Sequence, residues 1–400
     1  MNIKLTRLRF LLILGTLCLG HFAVDCMLSI WPVYKTMADL DLAKAGIISG
    51  LCALIGEGAQ MFFGPMGDQG HYRRLATLGI ALSIASTLFI YSTGYLFIFL
   101  LFLSTYIGSG AFHPTAVGLV SCISVGMRRM AITVFMLFGA LGMAFGQLIY
   151  TKSYYLLEGQ TIYLALPVLF VAALLFLPAS QEEKQLVHSK KKKERQGVKE
   201  LLGFFKNRDL TFLYITQVCA QALLWGTMFL LPDVLVTKGY DTWVAYGGGH
   251  MAFILGFGMI MLPGGYLAQR FSARSVLMSA FVIGSLGSVF FLSSGLLGAG
   301  LVLSMLFLLG ASLGVINPTV LSVGNVMVPD SPGAISAFLM GMAWCIAEAI
   351  GPMGGGILTK LFEYDAPAKA LMVMSSLYLV GFSSMYLFTE PSRQEERVHE

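Results

Sequence analysis

The chain has 400 residues, of which 56% are hydrophobic and 12% charged, and its formal net charge is +5. A soluble domain of this length carries far more polar surface, so a water-soluble globular protein is excluded. With a mean hydropathy of +0.77, the composition is that of a membrane protein, and the small basic excess points to no nucleic-acid partner.

A transmembrane helix needs about 20 predominantly apolar residues. Stretches of that kind, bounded by charges or by Gly, Pro and Asn turns, predict twelve spans. They are 9–34, 45–66, 75–93, 95–124, 130–150, 161–178, 210–232, 244–267, 273–293, 296–326, 334–359 and 368–388. The alternation of a transmembrane β-strand is missing, so the expected class is all-α.

The first span starts like a signal peptide, with Lys4, Arg7 and Arg9. Its apolar run is too long for a signal h-region and lacks a small-residue cleavage site, so it reads as a retained helix. It carries His21 and Asp25, four residues apart and so one turn apart on one helix face. The second span carries Glu57 and Gln60 on a shared face, and the loop Gly64-Pro65-Met66-Gly67-Asp68-Gln69-Gly70-His71-Tyr72-Arg73-Arg74 follows it. In the fourth span His113 precedes Pro114, which removes a helix hydrogen bond and frees a carbonyl. An imidazole there suits either the hinge of a gated cavity or a partner for that carbonyl.

At 179–208 the composition turns polar, with the run Lys190-Lys191-Lys192-Lys193. This predicts a six-helix bundle over 1–178, a cytoplasmic basic linker over 179–208, a second bundle over 209–390 and a cytoplasmic tail over 391–400. The seventh span carries Gln217, Gln221 and Trp225 in one stripe, and the eighth carries His250 near its external end, expected at the membrane interface. The tenth contains Asn317-Pro318-Thr319. In the eleventh, Glu348 stands one turn after Trp344, and Gly351-Pro352-Met353-Gly354-Gly355 offers small residues for close helix packing. A charge at the bilayer centre costs about 2.5–3.5 kcal/mol, so His21, Asp25, Glu57, His113, His250 and Glu348 are the functional candidates.

The six cysteines lie in apolar segments far from any CxxC pair or metal spacing, and neither a metal site nor a cofactor is expected. No nucleotide loop or nucleophile–base motif points to an enzyme. With a cytoplasmic amino terminus, 20 of the 26 Lys and Arg residues fall in cytoplasmic segments and 6 in external loops. The positive-inside rule therefore places both termini in the cytoplasm, which requires an even number of spans.

The two halves repeat. His113-Pro114-Thr115 matches Asn317-Pro318-Thr319, Gly110 matches Gly314, Arg74 matches Arg274, and His21 and Gln221 each stand eleven residues before a proline, with Trp225 in the place of Asp25. Parallel six-span repeats are the plan of one large transporter class. At this point the chain resembles the major facilitator superfamily, whose signature between the second and third helices is matched by Gly64, Asp68, Gly70, Arg73 and Arg74. It departs from that signature in having Gln69 for a basic residue and an early second glycine.

Within the superfamily it is most similar to the fosmidomycin-resistance exporters, through Gly20-His21-Phe22-Ala23-Val24-Asp25, Gly108 through Pro114, and Phe135 through Gly139 with Gly142 and Gly146. Thr115 stands where members often have Glu, and Gln147 where Pro is common. The resemblance implies a monomeric transporter of the bacterial inner membrane, working by alternating access and embedded in the lipid bilayer. Helices one, four, seven and ten would line its cavity, bringing in Asp25, His21, His113, Gln217, Gln221, Trp225, Asn317, Thr115 and Thr319, with Glu57 as a further proton site and the Gly64–Arg74 loop as a gate.

Proton-coupled export of a small molecule is the expected function. Proton-coupled nutrient uptake and a non-transporting receptor or scaffold are the alternatives. Because no Arg or Lys is expected in the cavity, a neutral, zwitterionic or cationic substrate is favoured over an anion. Single cysteines introduced at Ser189 and at Gly159 are expected to react with impermeant thiol reagents from opposite sides of the membrane, Ser189 from the cytoplasm. Labelling of both from one side refutes the topology.

Overall fold

A computed structural model of the protein describes residues 6–124, 127–177 and 198–390. Most of the expected linker, with Lys190–Lys193 and Ser189, and the whole tail over 391–400 lie outside the described residues. The described residues form helices joined by short turns, with no strand among them.

The principal helices are α1 (Arg7–Met37), α2 (Leu42–Gly58), α3 (Gln60–Met66), α4 (Tyr72–Ser83), α5 (Tyr95–Ile123), α6 (Arg128–Leu156) and α7 (Ala165–Phe176). They continue as α8 (Arg208–Thr237), α9 (Gly249–Met259), α10 (Met261–Arg270), α11 (Ala273–Ser293), α12 (Ala299–Met327), α13 (Ala343–Leu358) and α14 (Ala366–Leu387). Among the described residues, nine helical runs are long and apolar enough to cross a membrane. One of them, Leu42–Tyr91, holds two of the expected spans. Its 50 residues would make a straight helix of about 75 Å, against a hydrocarbon core of about 30 Å. The run breaks at Gly70, whose φ of 99° lies in the left-handed region that glycine enters without a Cβ penalty. The expected span over 161–178 is a short apolar helix, Thr161–Phe176, and that over 244–267 is divided into α9 and α10.

Contacts divide the chain into two compact units, Met1–Asp39 with Leu51–Lys193, and Leu40–Gly50 with Glu194–Glu400. In the first unit α6 lies directly on α1. A Cβ at Gly142 would overlap the Phe22 carbonyl, and one at Gly146 would come within 2.8 Å of the Cys26 Cα. Lipid is as apolar as leucine, so backbone approach of this kind, and not water exclusion, holds membrane helices together. An aromatic cluster closes one end of α1: Trp31 stacks on Phe102 at 4.7 Å between centroids, and the Tyr34 hydroxyl donates to the Phe89 carbonyl at 2.8 Å.

In the second unit the seam of α8 and α13 is equally tight, since a Cβ at Gly351 would stand 2.6 Å from the Ala222 carbonyl oxygen. Asp41, at the start of α2, pairs with Lys360, and that ammonium holds the Asp41 carboxyl below its usual range.

Three expectations are corrected here. Lys35, one residue beyond the expected first span over 9–34 and so counted among the six external Lys and Arg residues, is a fully buried residue of α1, with its ammonium donating to Thr36 Oγ1 at 3.0 Å. His250, expected at the interface, is 1% exposed inside the second unit, because α9 packs against α12 along Gly256 and Gly310. The structural counterpart of Arg274 is Arg73, not Arg74. Arg73 Nη1 donates to the Leu175 and Leu177 carbonyls, each at 2.9 Å, and Arg274 Nη2 donates to the Tyr386 carbonyl. Each arginine thus satisfies acceptors at the carboxyl end of the last helix of its own unit, where helix carbonyls lack partners. Arg74 is exposed.

Arg73→Gln is therefore expected to destabilise the protein by about 1–3 kcal/mol, and Arg74→Gln by less than about 0.5 kcal/mol, as read by thermal unfolding in detergent. Equal effects would refute the capping role.

Candidate functional site

The site in the first unit is built from α1, α2, α5 and α6. His21 and Asp25 share a face of α1, as their spacing predicts, with His21 Nε2 lying 3.4 Å from Asp25 Oδ2. On α5, His113 Nε2 lies 3.1 Å from Asp25 Oδ1. One carboxylate therefore faces two imidazoles, each opposite its own oxygen. The three side chains are 3%, 11% and 25% exposed for His21, Asp25 and His113 respectively.

The other ring nitrogens decide the chemistry. His21 Nδ1 is 2.8 Å from the Phe135 carbonyl oxygen, and His113 Nδ1 is 3.0 Å from the Ser109 carbonyl oxygen. A carbonyl only accepts, so these contacts favour the tautomer with hydrogen on Nδ1 in both rings, the Ser109 hydroxyl giving its own hydrogen to Glu57. In a neutral imidazole the lone pair then sits on Nε2, so both lone pairs point at a carboxylate that, when ionised, also only accepts. Three acceptors converge in a largely apolar setting, and that arrangement is stable only with a cation among them, whether a proton on a ring nitrogen or carboxylate or a metal ion.

The surroundings fix this geometry. The Phe135 ring stacks on the His21 ring at 4.1 Å and 24°. Gly139, one turn further along α6, leaves room for the pair: a Cβ there would overlap His21 Nε2 and stand 2.7 Å from Asp25 Oδ2. Phe135 and Gly139 belong to the stretch that carried the family resemblance, yet neither was expected at the site. Their signal was present only as that resemblance, because a backbone carbonyl and a missing Cβ leave no charge to read.

Glu57 joins through Ser109. The Ser109 hydroxyl donates to Glu57 Oε1 at 3.1 Å and lies 3.0 Å from His113 Nδ1, and Gln60 Nε2 donates to the second Glu57 oxygen. A polar chain therefore runs from Asp25 through His113 and Ser109 to Glu57 and Gln60. The imidazole of His113 bonds the Ser109 carbonyl and not that of Gly110, which Pro114 deprives of its donor.

Two expected cavity residues are spent elsewhere. Thr115 is fully buried and its hydroxyl donates to the Ala111 carbonyl at 2.6 Å, while Thr319 is 1% exposed and donates to the Val315 carbonyl at 2.7 Å. Each stands one residue after a proline and repairs helix acceptors near the interrupted ladder. The expected gating residues shape a turn: Gly64 lies near Pro114, the Tyr72 hydroxyl donates to Asp68, and Gly70 holds the left-handed φ.

In the second unit, Gln217 Nε2 donates to Asn317 Oδ1 at 2.7 Å, so α8 and α12 are joined as α1 and α5 are. The register differs, because Gln217 lies two turns before Trp225, the sequence counterpart of Asp25. Gln221 is 1% exposed with neither amide atom hydrogen-bonded, and Trp225 Nε1 is likewise buried without a partner. Glu348 is 4% exposed on α13.

His21, Asp25 and His113 also have the composition of a metal-binding group, with one donor atom from each lying within 4.8 Å of the others. Sequence spacing gave no sign of it, since His113 comes from a distant helix.

Comparison with known proteins places these features in context. The profile of the Major Facilitator Superfamily matches residues 11–352. No curated protein sequence matches the chain. Among solved structures, the chain is similar to a bacterial homologue of the human lysosomal transporter Spinster in an inward-facing and occupied conformation, with 12% identity, a TM-score of 0.75 and 97% of each chain covered. It is also similar to the nucleoside transporter NupG, with 15% identity, a TM-score of 0.72, and 94% of this chain and 100% of that one covered. At these identities the likeness is one of fold.

The packing at Gly139 is directly testable. Gly139→Ala is expected to destabilise the protein by about 1–3 kcal/mol through overpacking at the His21–Asp25 pair. Gly15→Ala on the same helix pair, where no atom lies within 4 Å of the new Cβ, is expected to be neutral in the same thermal-unfolding assay. An unperturbed Gly139→Ala protein contradicts the close approach.

Proposed function

The chain belongs to the major facilitator superfamily, and from that premise we propose that it is a proton-coupled secondary transporter, an exporter of a small molecule, working by alternating access. The observation that carries the proposal is the convergence of two Nε2 lone pairs on the Asp25 carboxylate, with both Nδ1 hydrogens committed to main-chain carbonyls. A site built this way binds a proton and releases it when its surroundings change. A charge moving through 100 mV carries about 2.3 kcal/mol, enough for one proton to drive a useful gradient.

In this reading Asp25 is the proton carrier, His113 its partner across the helices, and His21 the neighbour that tunes it. Glu57, connected through Ser109, is a second station for the proton. Gln217, Gln221, Trp225 and Asn317 are assigned to substrate binding. A buried amide without a partner costs about 1–3 kcal/mol, and a ligand that hydrogen-bonds Gln221 and Trp225 recovers it. Among the described residues, no Lys or Arg forms a salt bridge with the trio. Lys35 is ten residues from Asp25 along α1, about 15 Å. This favours a neutral, zwitterionic or cationic substrate.

The motifs around His21, Asp25 and His113 relate the chain to the fosmidomycin-resistance exporters. The distribution of Lys and Arg supports cytoplasmic termini, and the resemblance to those exporters supports a bacterial inner-membrane location. The bilayer is its other partner, and it acts as a monomer.

A ligand-stabilisation screen on the purified protein supplies a substrate for the test, and comparison of everted with intact vesicles fixes the direction of flux. Asp25→Asn mimics the permanently protonated carboxyl. Uptake driven by a pH gradient in proteoliposomes is expected to fall to background, while exchange of labelled for unlabelled substrate persists. His21→Gln is expected to move the pH dependence of transport without abolishing it. Full gradient-driven transport by the Asp25→Asn protein would transfer the role to Glu57.

A further inference from the structure

We propose that His21, Asp25 and His113 form a binding site for a first-row transition-metal dication of the Zn²⁺ or Co²⁺ class. The site has three first-sphere donors: His21 Nε2, one Asp25 carboxylate oxygen and His113 Nε2. Zinc takes imidazole nitrogen and carboxylate oxygen at about 2.0–2.2 Å, which sets neighbouring donors about 3.3 Å apart around a tetrahedral ion. Here His21 Nε2 lies 3.4 Å from Asp25 Oδ2 and His113 Nε2 3.1 Å from Asp25 Oδ1, each imidazole facing a different carboxylate oxygen, and one donor atom from each residue lies within 4.8 Å of the others, so an ion draws the donors slightly together.

Two histidines and one carboxylate form a set that suits zinc, nickel, cobalt and iron, and that leaves positions open for water or a further ligand. Calcium and magnesium, which require oxygen donors, are disfavoured.

Independent features support the assignment. Each histidine donates its other ring hydrogen to a backbone carbonyl, Phe135 for His21 and Ser109 for His113, which is the second-sphere arrangement that fixes ring orientation and raises ligand basicity. The tautomer presenting Nε2 to the centre is therefore built in before any ion arrives. A proton satisfies one imidazole–carboxylate contact at a time, whereas a dication between the three atoms satisfies all of them at once. Gly139 keeps the space beside His21 Nε2 and Asp25 Oδ2 free of side chain. The His113 side chain, 25% exposed, is the least buried of the three.

The inference uses the same trio as the transport proposal but depends on neither a gradient nor flux, so each survives the failure of the other. The test uses the full chain, purified in detergent and stripped with a chelator. Titration with Co²⁺ is expected to give one saturable site with visible ligand-field bands, which Zn²⁺ displaces. Asp25→Asn and His113→Gln, checked for intact elution and melting, are expected to weaken binding about 100-fold or more. His250→Gln, which removes a buried imidazole from the other unit, is expected to bind as the parent does.

X-ray absorption on the zinc-loaded parent protein gives a measurement that requires no variant to fold, and two imidazole ligands with oxygen are expected. No saturable binding, binding unchanged in the Asp25 and His113 variants, or a zinc shell with sulfur or fewer than two imidazoles overturns the proposal.

Discussion

The arrangement on which the site depends is a conflict between acceptors. Asp25 meets His21 and His113 within 3.4 Å, and both rings have given their Nδ1 hydrogens to the backbone. A carboxylate and two bare imidazole nitrogens repel one another at low dielectric, so the site is specified for a positive guest. Everything near it holds that conflict in place. The Phe135 ring stacks on His21, Gly139 admits the pair, and Ser109 anchors His113 while passing a hydrogen bond to Glu57. Loss of any one of these would let a ring rotate and satisfy itself elsewhere.

Such a site is costly in a membrane helix, and its cost is offset by packing of small residues. The glycines of α6 bring the backbone of α1 within van der Waals reach. That close approach puts the Phe135 carbonyl within 2.8 Å of a histidine on the neighbouring helix. Close packing and polar chemistry are thus one device: the seam that holds the helices is the seam that sets the tautomer.

The second unit shows how a repeat diverges. Prolines and the threonines after them keep their place and their backbone bonds in both units, because a broken helix ladder has the same needs in each. The ionisable residues are not kept. Gln217, Gln221, Trp225 and Asn317 stand where the first unit has its charged trio or lies close to it, and they leave buried amide and indole groups without partners. The first unit thereby gathers two imidazoles around a carboxylate, and the second gathers neutral amides and an indole.

Composition and periodicity determined by themselves that this is a multispanning helical protein. The i, i+4 spacing put His21 and Asp25 on one face, and the rarity of charge in apolar segments pointed to Glu57 and His113. Those signals are local, and the physics behind them acts over one turn of helix or one thickness of bilayer. Only the tertiary structure decided that His113 on α5 joins Asp25 on α1, that Glu57 connects through the neutral Ser109, and that Arg73 rather than Arg74 caps a distant helix.

The burial of Lys35 and His250 and the commitment of Thr115 and Thr319 to helix carbonyls were equally out of reach. Each depends on a backbone atom or a missing side chain many residues away, and a sequence carries no mark of which carbonyl will stand beside which ring.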